Sequence, residues 1–322
     1  IEDTGPLTIK RMQTIDEEIT SAAVDYIDRQ TKAGKPFFCW YNSTRCHINT
    51  HLSPEYNGKT GLGLEADAMT ELDDNVGKLL KKLDDLGIAN NTIVVFTTDN
   101  GAEMMTWPDG GSTPFRGEKA TNWEGGYRVP TLIKWPGVIK PGTISNDIFS
   151  HEDFIPTLCA AAGQTDVVQQ CLNGYSANGK TYKVHLDGYN MLPFLKGDVK
   201  EDPRKEFVYW SDDGDLFAIR YGRWKVSFIE QYHEGLDIWA LDYTKLRVPQ
   251  VYDLLADPFE RGPHSFNYPD WQLHHIYYTY GALAYVSNWL SSFKQFPPRQ
   301  KPASFNLDEV MRKMSETSDG AH

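Results

Sequence analysis

Two short apolar runs on either side of a long amphipathic stretch constrain the fold more than any other feature of this sequence. The runs are residues 37–41 and residues 92–98, and the second is rich in β-branched side chains. Between them, over residues 65–86, apolar positions recur at helical spacing, and Gly87 stands where helices commonly end. A buried strand, a helix and another buried strand form a βαβ unit with parallel strands. The sequence therefore predicts an α/β domain whose mostly parallel sheet is flanked by helices.

Further elements of the same domain follow from similar patterns. Residues 14–32 carry an apolar stripe typical of a helix, and Thr14 with Glu17 matches a capping box at its start. Residues 129–135 are typical of another strand, and residues 152–162 of another helix. We assign residues 1–165 to this α/β domain.

The character of the chain changes in residues 166–322. A polar connection rich in Gly and Asn leads into three apolar runs that are separated by Asp-Gly and Gly-Arg turns. These runs, which predict an antiparallel meander, are residues 207–210, 216–221 and 224–228. A helical stretch near residues 274–293 would cover the small sheet. We therefore expect a smaller α+β domain with an antiparallel sheet and a helix at this end of the chain.

Charge and composition exclude several classes of function. The chain has 32 Lys and Arg against 44 Asp and Glu, a net charge of −12, which argues against a nucleic-acid partner. No run approaches the roughly 18 apolar residues that span a bilayer, so no membrane partner is predicted. The four cysteines are too few and too scattered for a disulfide scaffold or a zinc cluster. None of these features predicts the oligomeric state.

Polar groups follow both apolar runs of the βαβ unit, where open α/β sheets bind their ligands. His47 and His51 come after the first run, and Asp99 and Asn100 come directly after the second. A carboxylate beside an amide oxygen suits a hard cation such as Ca²⁺ or Mg²⁺. A plain Asx turn ending at Gly101 explains the same pair without a metal, and spacing alone favours the turn.

A third group of candidate residues lies in the Gly-rich segment 114–130. It concentrates Arg116, Lys119 and Arg128 in an otherwise acidic protein. Cations that converge near a metal site suit an oxyanion such as sulfate or phosphate. Taken alone, the segment is more typical of a solvated, charged loop.

Together these segments resemble the sulfatase family, and in particular its arylsulfatase-type members within the alkaline phosphatase superfamily. The order and spacing of the motifs match over nearly the whole chain. The motifs that carry the resemblance read TDNG, RGEK, WEGGYRVP, WPG and DPFE, at residues 98–101, 116–119, 123–130, 135–137 and 257–260. The resemblance implies the family's α/β fold and a hydrolase of sulfate esters, with a small-molecule sulfate ester as its substrate.

The resemblance also implies roles for individual residues. In the family, residues at the positions of Asp99 and Asn100 bind a divalent cation, usually calcium, with magnesium as the alternative. They are expected to lie together at the carboxyl end of a parallel strand, with Lys119 directed towards them. The lysine that Lys119 matches contacts the sulfate, and we assign Arg116 to substrate binding beside it.

A histidine supplies the proton chemistry in this family. The family residue that His47 matches contacts or protonates the ester oxygen, which is a suitable task for an imidazole. His51 is the alternative for this role, and the two would share one face if this segment were helical.

One departure from the family pattern concerns the nucleophile. The family makes a formylglycine from the Cys or Ser of a Cys/Ser-x-Pro-x-Arg motif. None of the four cysteines precedes x-Pro-x-Arg. We expect that no serine precedes it either. The family's early metal-binding Asp pair also lacks a counterpart. We expect this chain to be the C-terminal portion of a sulfatase, with residues 1–165 forming the C-terminal part of its catalytic domain, and to be inactive alone.

Two other functions stay open at this point. A phosphate or phosphonate ester hydrolase of the same superfamily would share the sheet, but its two-metal members carry Asp-His where this chain has Asp99-Asn100. A non-catalytic binding protein would use exposed aromatic rings. Its candidate rings are Trp210, Trp224, Trp239 and Trp271, although burial is the simpler expectation for most of them.

One smaller feature admits two interpretations. Residues 212–215, Asp-Asp-Gly-Asp, form either a hairpin turn or a second cation site, and the turn is the simpler explanation. The compartment is not encoded in any motif. The resemblance slightly favours a periplasmic, secreted or lysosomal location.

Overall fold

The computed structural model describes residues 3–110 and 113–299, which form two compact units. The first contains Ile1–Thr113 and Val129–Pro141, and the second contains Pro114–Arg128 and Gly142–His322. This division differs from the predicted domain boundary between residues 165 and 166, which stays a prediction. Residues 114–128 belong to the second unit, and Trp123, Glu124 and Tyr127 donate hydrogen bonds to Gln231, Glu260 and Trp210 of that unit.

Three helices build most of the first unit. They are α1 (Ile9–Met12), α2 (Ile15–Lys32) and α3 (Leu64–Asp85). The two long helices agree with the predicted ones to within one residue, and Gly87 adopts the left-handed conformation expected after α3 (φ +69°). The predicted capping box is wrong, because the Thr14 hydroxyl donates to the Arg11 carbonyl (3.4 Å) and does not cap α2.

The strands of the first unit differ from the prediction in their pairing. β1 (Val94–Thr97) and β2 (Thr131–Lys134) were both expected, but they pair antiparallel, with Val94 opposite Lys134. Residues 37–41 form no strand, since no described segment pairs with their backbone. The predicted parallel pairing is therefore wrong for the residues described, because it required residues 37–41 to form a strand beside β1. The side chains of residues 37–41 still alternate as in a strand, leaving Phe38 68% and Trp40 79% exposed.

The second unit contains the remaining described helices and strands. Its helices are α4 (Glu124–Tyr127), α5 (Phe154–Ala161), α6 (Val167–Asn173), α7 (Leu192–Lys196), α8 (Asp237–Ala240), α9 (Tyr268–His275) and α10 (Tyr278–Ser291). Its strands are β3 (Tyr175–Ala177), β4 (Lys180–Tyr182), β5 (Glu206–Trp210), β6 (Leu216–Tyr221), β7 (Trp224–Glu230) and β8 (Thr244–Asp253). Short 3-10 helices along the chain are Ala89–Asn91, Met104–Thr106, His151–Asp153, Gly262–His264 and Ser292–Lys294.

The sheet β5-β6-β7-β8 is antiparallel throughout and holds the core of the second unit. Ile219, Val226 and Val251 of the sheet pack against Ala282 and Val286 of α10, as the predicted covering helix requires. The predicted meander and its helix are confirmed. Strand β8 was not predicted, because Pro249 interrupts its apolar pattern. Proline is tolerated here since β8 is the edge strand of the sheet.

No helix among the described residues combines the length and the hydrophobicity that crossing a bilayer requires.

Candidate functional site

The predicted metal ligands lie in a turn at the end of β1. Asp99 is exposed and Asn100 half-buried, and they follow Thr97, the last residue of the strand. The Thr98 hydroxyl is 3.4 Å from Asp99 Oδ1 and 3.5 Å from the Asn100 carbonyl, so the turn is partly organised by its own side chain. The strand therefore ends by presenting a carboxylate and an amide at the surface of the first unit.

The donor chemistry of this pair fits a hard cation but does not complete a site. Asp99 and Asn100 offer oxygen ligands, which Ca²⁺ and Mg²⁺ prefer, whereas Ca²⁺ takes six to eight oxygens. Among the residues that the structure describes, no group of three or more His, Cys, Asp or Glu side chains is placed to hold a metal ion. The pair can thus contribute only a fraction of a coordination sphere.

The backbone segment that precedes His47 is held in place by a cluster of buried ion pairs. Arg45 is buried and donates two hydrogen bonds to the Glu71 carboxylate, at 2.6 and 2.9 Å. Its guanidinium also lies 3.2 Å from Asp16, which in turn accepts hydrogen bonds from Ser43 and Thr44. Since Asp16 and Glu71 belong to α2 and α3, both helices fix the backbone immediately before His47.

The two candidate histidines occupy a turn. The Thr50 amide and hydroxyl both donate to the His47 carbonyl, at 3.1 and 2.7 Å, and residues 45–49 are not helical. The condition under which His47 and His51 would share a helical face is therefore not met. His47 is exposed. Burial and the nearby Asp109 raise the pKa of Glu65, whereas Cys46 and His47 act to lower it. His51 is half-buried.

Cys46, next to His47, is expected to react slowly with alkylating agents. Burial, with a smaller contribution from Glu65, raises the pKa of its thiol to about 12. The thiolate fraction at pH 8 is then on the order of 10⁻⁴, and even allowing for the higher nucleophilicity of a basic thiolate we expect alkylation about a hundredfold slower than for an ordinary thiol. Mass spectrometry after iodoacetamide treatment measures this rate, with the urea-unfolded chain as control. Equal rates in the folded and unfolded chain would contradict the assignment.

In the second unit, Lys119 lies in a loop whose conformation is set on both sides. Gly117 and Ala120 adopt left-handed backbone conformations (φ +75° and +65°). The Thr121 hydroxyl donates to the Glu118 carbonyl (2.6 Å) and closes the turn around Lys119. Lys119 itself is half-buried, and its ammonium lies 6.0 Å from the centre of the Trp239 ring.

The Gly125-Gly126 pair lets this loop pack directly on α4. The Gly125 amide donates to the Arg116 carbonyl at 2.7 Å. A Cβ on Gly125 would lie 2.4 Å from the carbonyl oxygens of Arg116 and Gly117, and one on Gly126 would lie 2.5 Å from that of Glu118. The obstructing atoms are backbone, so they cannot move away as a flexible side chain can. The two glycines are therefore required by the close approach of the Lys119 loop.

Replacing Gly125 with alanine is expected to destabilise the chain by roughly 1–3 kcal/mol or more, because the loop must shift to admit the methyl group. The matched control is Gly77→Ala in the interior of α3, where an added Cβ meets no atom within 4 Å. That change should stabilise the chain by about 0.5–1 kcal/mol through helix propensity. Urea unfolding measures both, and two effects of the same sign would contradict the packing argument.

Beneath the loop lies a cluster of buried charges that sequence reasoning missed. Lys225 of β7 is fully buried and donates to the Asn122 carbonyl (2.6 Å), to Glu260 (2.7 Å) and to Glu124 (3.3 Å). Glu260 also accepts from the Glu124 amide at 2.7 Å. This cluster ties the strand, the WEGG segment and the DPFE segment together. A lysine within a strand normally faces solvent, so the sequence carried no signal of its burial.

The charges of this cluster shift one another's ionisation. Burial opposes ionisation of Glu124, but Lys225 and Arg220 hold its pKa below the ordinary value. Tyr209 supports the same carboxylate by donating a hydrogen bond at 2.6 Å. Burial raises the pKa of Glu260, as does the nearby Glu124, although Lys225 opposes that shift. Lys225 thus contacts two buried carboxylates whose pKa values shift in opposite directions, and Arg220 is a second cation on Glu124.

Arg116 takes part in the packing of the loop. Its guanidinium stacks on the Trp123 ring, 3.5 Å from the ring centre, and donates to the Glu260 carbonyl at 2.9 Å. These contacts give Arg116 a structural role in the second unit. Its predicted contact with substrate stays a prediction, as do the roles of His47, Lys119 and Asp99.

The Asp-Asp-Gly-Asp run and the four candidate tryptophans have simple structural settings. Residues 211–215 form the turn between β5 and β6, where the Ser211 amide donates to the Asp215 carbonyl at 2.9 Å. Among the four candidate tryptophans, Trp224 and Trp271 pack against the sheet core and Trp210 is half-buried. Trp239 is the exception at 51% exposed.

The expectation that no serine precedes x-Pro-x-Arg is wrong, because the sequence contains one such match. Residues 112–116 read Ser-Thr-Pro-Phe-Arg. Ser112 lies outside the described residues, and Arg116 begins the RGEK segment to which the family pattern already assigns a place. We therefore keep the expectation that the nucleophile motif lies outside this chain, and a Ser112→Ala variant tests it.

Comparisons with known proteins agree on one family. The family profile described as Sulfatase matches residues 2–164. Human N-acetylgalactosamine-6-sulfatase is 33% identical over 271 residues, covering 78% of this chain and 48% of that protein. Human arylsulfatase A is 33% identical over 249 residues, covering 74% and 46%. The crystal structure of PsFucS1 sulfatase from Pseudoalteromonas sp. aligns with a TM-score of 0.77 and 28% identity, covering 92% of this chain and 56% of that one.

These similarities confirm the predicted α/β fold class, including its C-terminal antiparallel sheet, even though the described residues pair no parallel strands. The chain spans about half the length of the curated relatives it matches.

Proposed function

This chain belongs to the sulfatase family, and on that premise we propose that the whole protein containing it is a sulfuric ester hydrolase of the arylsulfatase type. The proposal rests chiefly on the Lys119 loop. In a chain of net charge −12, that loop is a cationic segment whose shape is set by close glycine packing and by a buried ion cluster. Such construction suits a loop that must hold one ammonium group in a defined position.

Lys119 serves the sulfate group in this proposal. Its ammonium binds a sulfuryl oxygen of the ester and stabilises the negative charge that develops as the S–O bond breaks. Arg116 fixes the loop from below through Trp123 and the Glu260 carbonyl. The positive charge therefore acts from a preorganised position, which is where electrostatic stabilisation is most effective.

Asp99 and Asn100 would hold one portion of a divalent cation site, with Ca²⁺ as the first choice and Mg²⁺ as the alternative. When bound, such a cation polarises an oxygen of the sulfate. The carboxylate and amide oxygens of the turn after β1 are suitable donors, and the remaining ligands must come from elsewhere.

His47 is proposed as the proton donor to the ester oxygen of the leaving alcohol. Its exposure gives it access to a ligand, and the Arg45 cluster fixes the backbone that precedes it. Glu65 lies near enough to interact electrostatically with His47. His51 stays the alternative.

The formylglycine nucleophile is proposed to lie outside this chain. The test is turnover by the chain alone and by the protein from the whole reading frame, each also as Ser112→Ala. We expect turnover only from the whole protein, with no loss on Ser112→Ala. Activity of the chain alone that Ser112→Ala abolishes would place the nucleophile at residue 112 and contradict the proposal.

The substrate class is tested with paired esters of one alcohol. We expect the whole protein to release 4-nitrophenol from 4-nitrophenyl sulfate much faster than from 4-nitrophenyl phosphate. The reverse preference would favour the phosphate ester hydrolase. Saturable binding of the sulfate ester without release of product would favour the non-catalytic binding protein. A periplasmic, secreted or lysosomal compartment is proposed on family resemblance.

A further inference from the structure

A segment with exposed apolar side chains lies beside Lys119 in the second unit. It comprises residues 232–241, between β7 and β8, and we call it the Trp239 segment. Its large side chains Tyr232, Leu236 and Trp239 are 47%, 71% and 51% exposed. Ile238, by contrast, is buried and anchors the segment.

Three hydrogen bonds attach this segment and the residue before it to the Lys119 loop. Gly235 donates its amide to Glu118 Oε1 at 2.8 Å. The Gln231 amide donates to Asn122 Oδ1 at 2.8 Å, and the Trp123 indole donates to the Gln231 carbonyl at 2.6 Å. The attachments lie on both sides of Lys119 in the sequence, and all the donors and acceptors are in the second unit. The position of the segment relative to Lys119 is therefore fixed.

From this geometry we propose that Trp239 determines substrate specificity by contacting the ring of the alcohol moiety of the ester. This inference rests on the proposed function. The centre of the Trp239 ring lies 6.0 Å from the Lys119 ammonium. A sulfate held by that ammonium is joined directly to the alcohol moiety through the ester oxygen, so the moiety is within reach of the indole. The exposed indole face then stacks on a flat ring of the substrate, with Leu236 extending the apolar surface.

The charge of the segment selects the kind of ring. The Trp239 segment contains Glu234 and Asp237 and no Lys or Arg. Glu234 and Asp237 are exposed. Like charges repel, so this surface disfavours an alcohol moiety that carries further sulfate or carboxylate groups. The favoured substrate is an ester of an uncharged, ring-bearing alcohol with a single sulfate.

The test compares a ring-bearing substrate with the sulfate group alone, in the whole protein. The two measured quantities are KM for 4-nitrophenyl sulfate and the inhibition constant of inorganic sulfate. We expect Trp239→Ala to raise KM about tenfold, Trp239→Phe to raise it much less, and neither to change inhibition by sulfate. Leu236→Ala, at a more exposed position of the same segment, should raise KM by a smaller factor. Tyr280→Ala, exposed on α10, is the control and should change neither constant.

Each outcome has a distinct meaning. An unchanged KM in both Trp239→Ala and Leu236→Ala would overturn the inference. An equal rise in KM for the ester and in the inhibition constant of inorganic sulfate would also overturn it. Trp239 would then hold the Lys119 loop in place and would not contact the ring of the substrate. If the unmodified protein hydrolyses no sulfate ester at all, the proposed function itself fails, and that result is visible before any variant is compared.

Discussion

In the whole protein, replacing Lys119 with alanine is expected to lower kcat about a hundredfold or more while leaving the unfolding midpoint nearly unchanged. The ammonium acts on charge that grows towards the transition state, so its loss affects the rate more than substrate binding. The loop that carries it is held by Gly125, Glu118 and Thr121, and none of these contacts uses the lysine side chain. These backbone and hydroxyl contacts therefore remain in the variant.

Two controls separate charge from position. Lys119→Arg keeps the positive charge but moves it and changes its geometry, so an intermediate kcat is expected. Lys200→Ala removes an exposed lysine elsewhere in the second unit and should leave kcat unchanged. Measuring kcat and the unfolding midpoint side by side distinguishes a catalytic from a structural role. Near-normal kcat with a sharply lowered midpoint would make Lys119 a structural residue.

Replacing Lys225 with methionine is expected to destabilise the protein by about 3–5 kcal/mol, the cost typical of breaking a buried ion pair by removing one partner. The change leaves the buried carboxylates of Glu124 and Glu260 without their shared cation. The double variant Lys225→Met, Glu260→Gln should recover some of the loss, since one of the uncompensated charges is then absent. Urea unfolding of both variants measures the difference.

The loss caused by Lys225→Met should also depend on pH. The pKa of Glu260 is already raised in the folded chain, and removing Lys225 raises it further. A carboxyl with a raised folded pKa binds its proton more tightly when folded, so stability falls as pH rises through that pKa. The deficit should therefore be smaller at pH 5 than at pH 8. The control is Lys205→Met, which breaks an exposed pair with Glu201 and should change stability little at either pH. An equal deficit at both pH values would contradict the buried-cluster account.

The sequence predicted the helices and the meander well because their signals are local. Amphipathic spacing placed α2 and α3 to within one residue, and turn residues separated β5, β6 and β7. Strand pairing is not local, and this is where the prediction failed. Residues 37–41 have the composition of a buried strand, yet a strand also needs a hydrogen-bonded neighbour, which the described residues do not provide. Pro249 concealed β8 for a related reason, since only its place at the sheet edge makes proline acceptable.

The residues of the candidate site likewise fall into those that a local motif predicts and those that only the structure shows. Asp99, Asn100, His47 and Lys119 could be predicted as candidates because the order of the motifs points to them, and their roles stay predictions. The residues that support them could not be identified, because burial of a charged side chain leaves no pattern in the sequence. Arg45 and Lys225 both occupy positions that are typical of exposed charges, and only the structure shows that two carboxylates enclose each of them.

The most direct test of the central claim is sulfate release from 4-nitrophenyl sulfate by the whole protein, compared with its Asp99→Ala variant at matched calcium concentrations. Our account predicts turnover by the unmodified protein and a loss of at least a hundredfold in the variant, with little change in stability because Asp99 is exposed in a surface turn. Equal turnover by the two proteins would contradict the assignment of the turn after β1 to the active site. The absence of sulfate release from the unmodified protein would contradict the proposed sulfuric ester hydrolase itself.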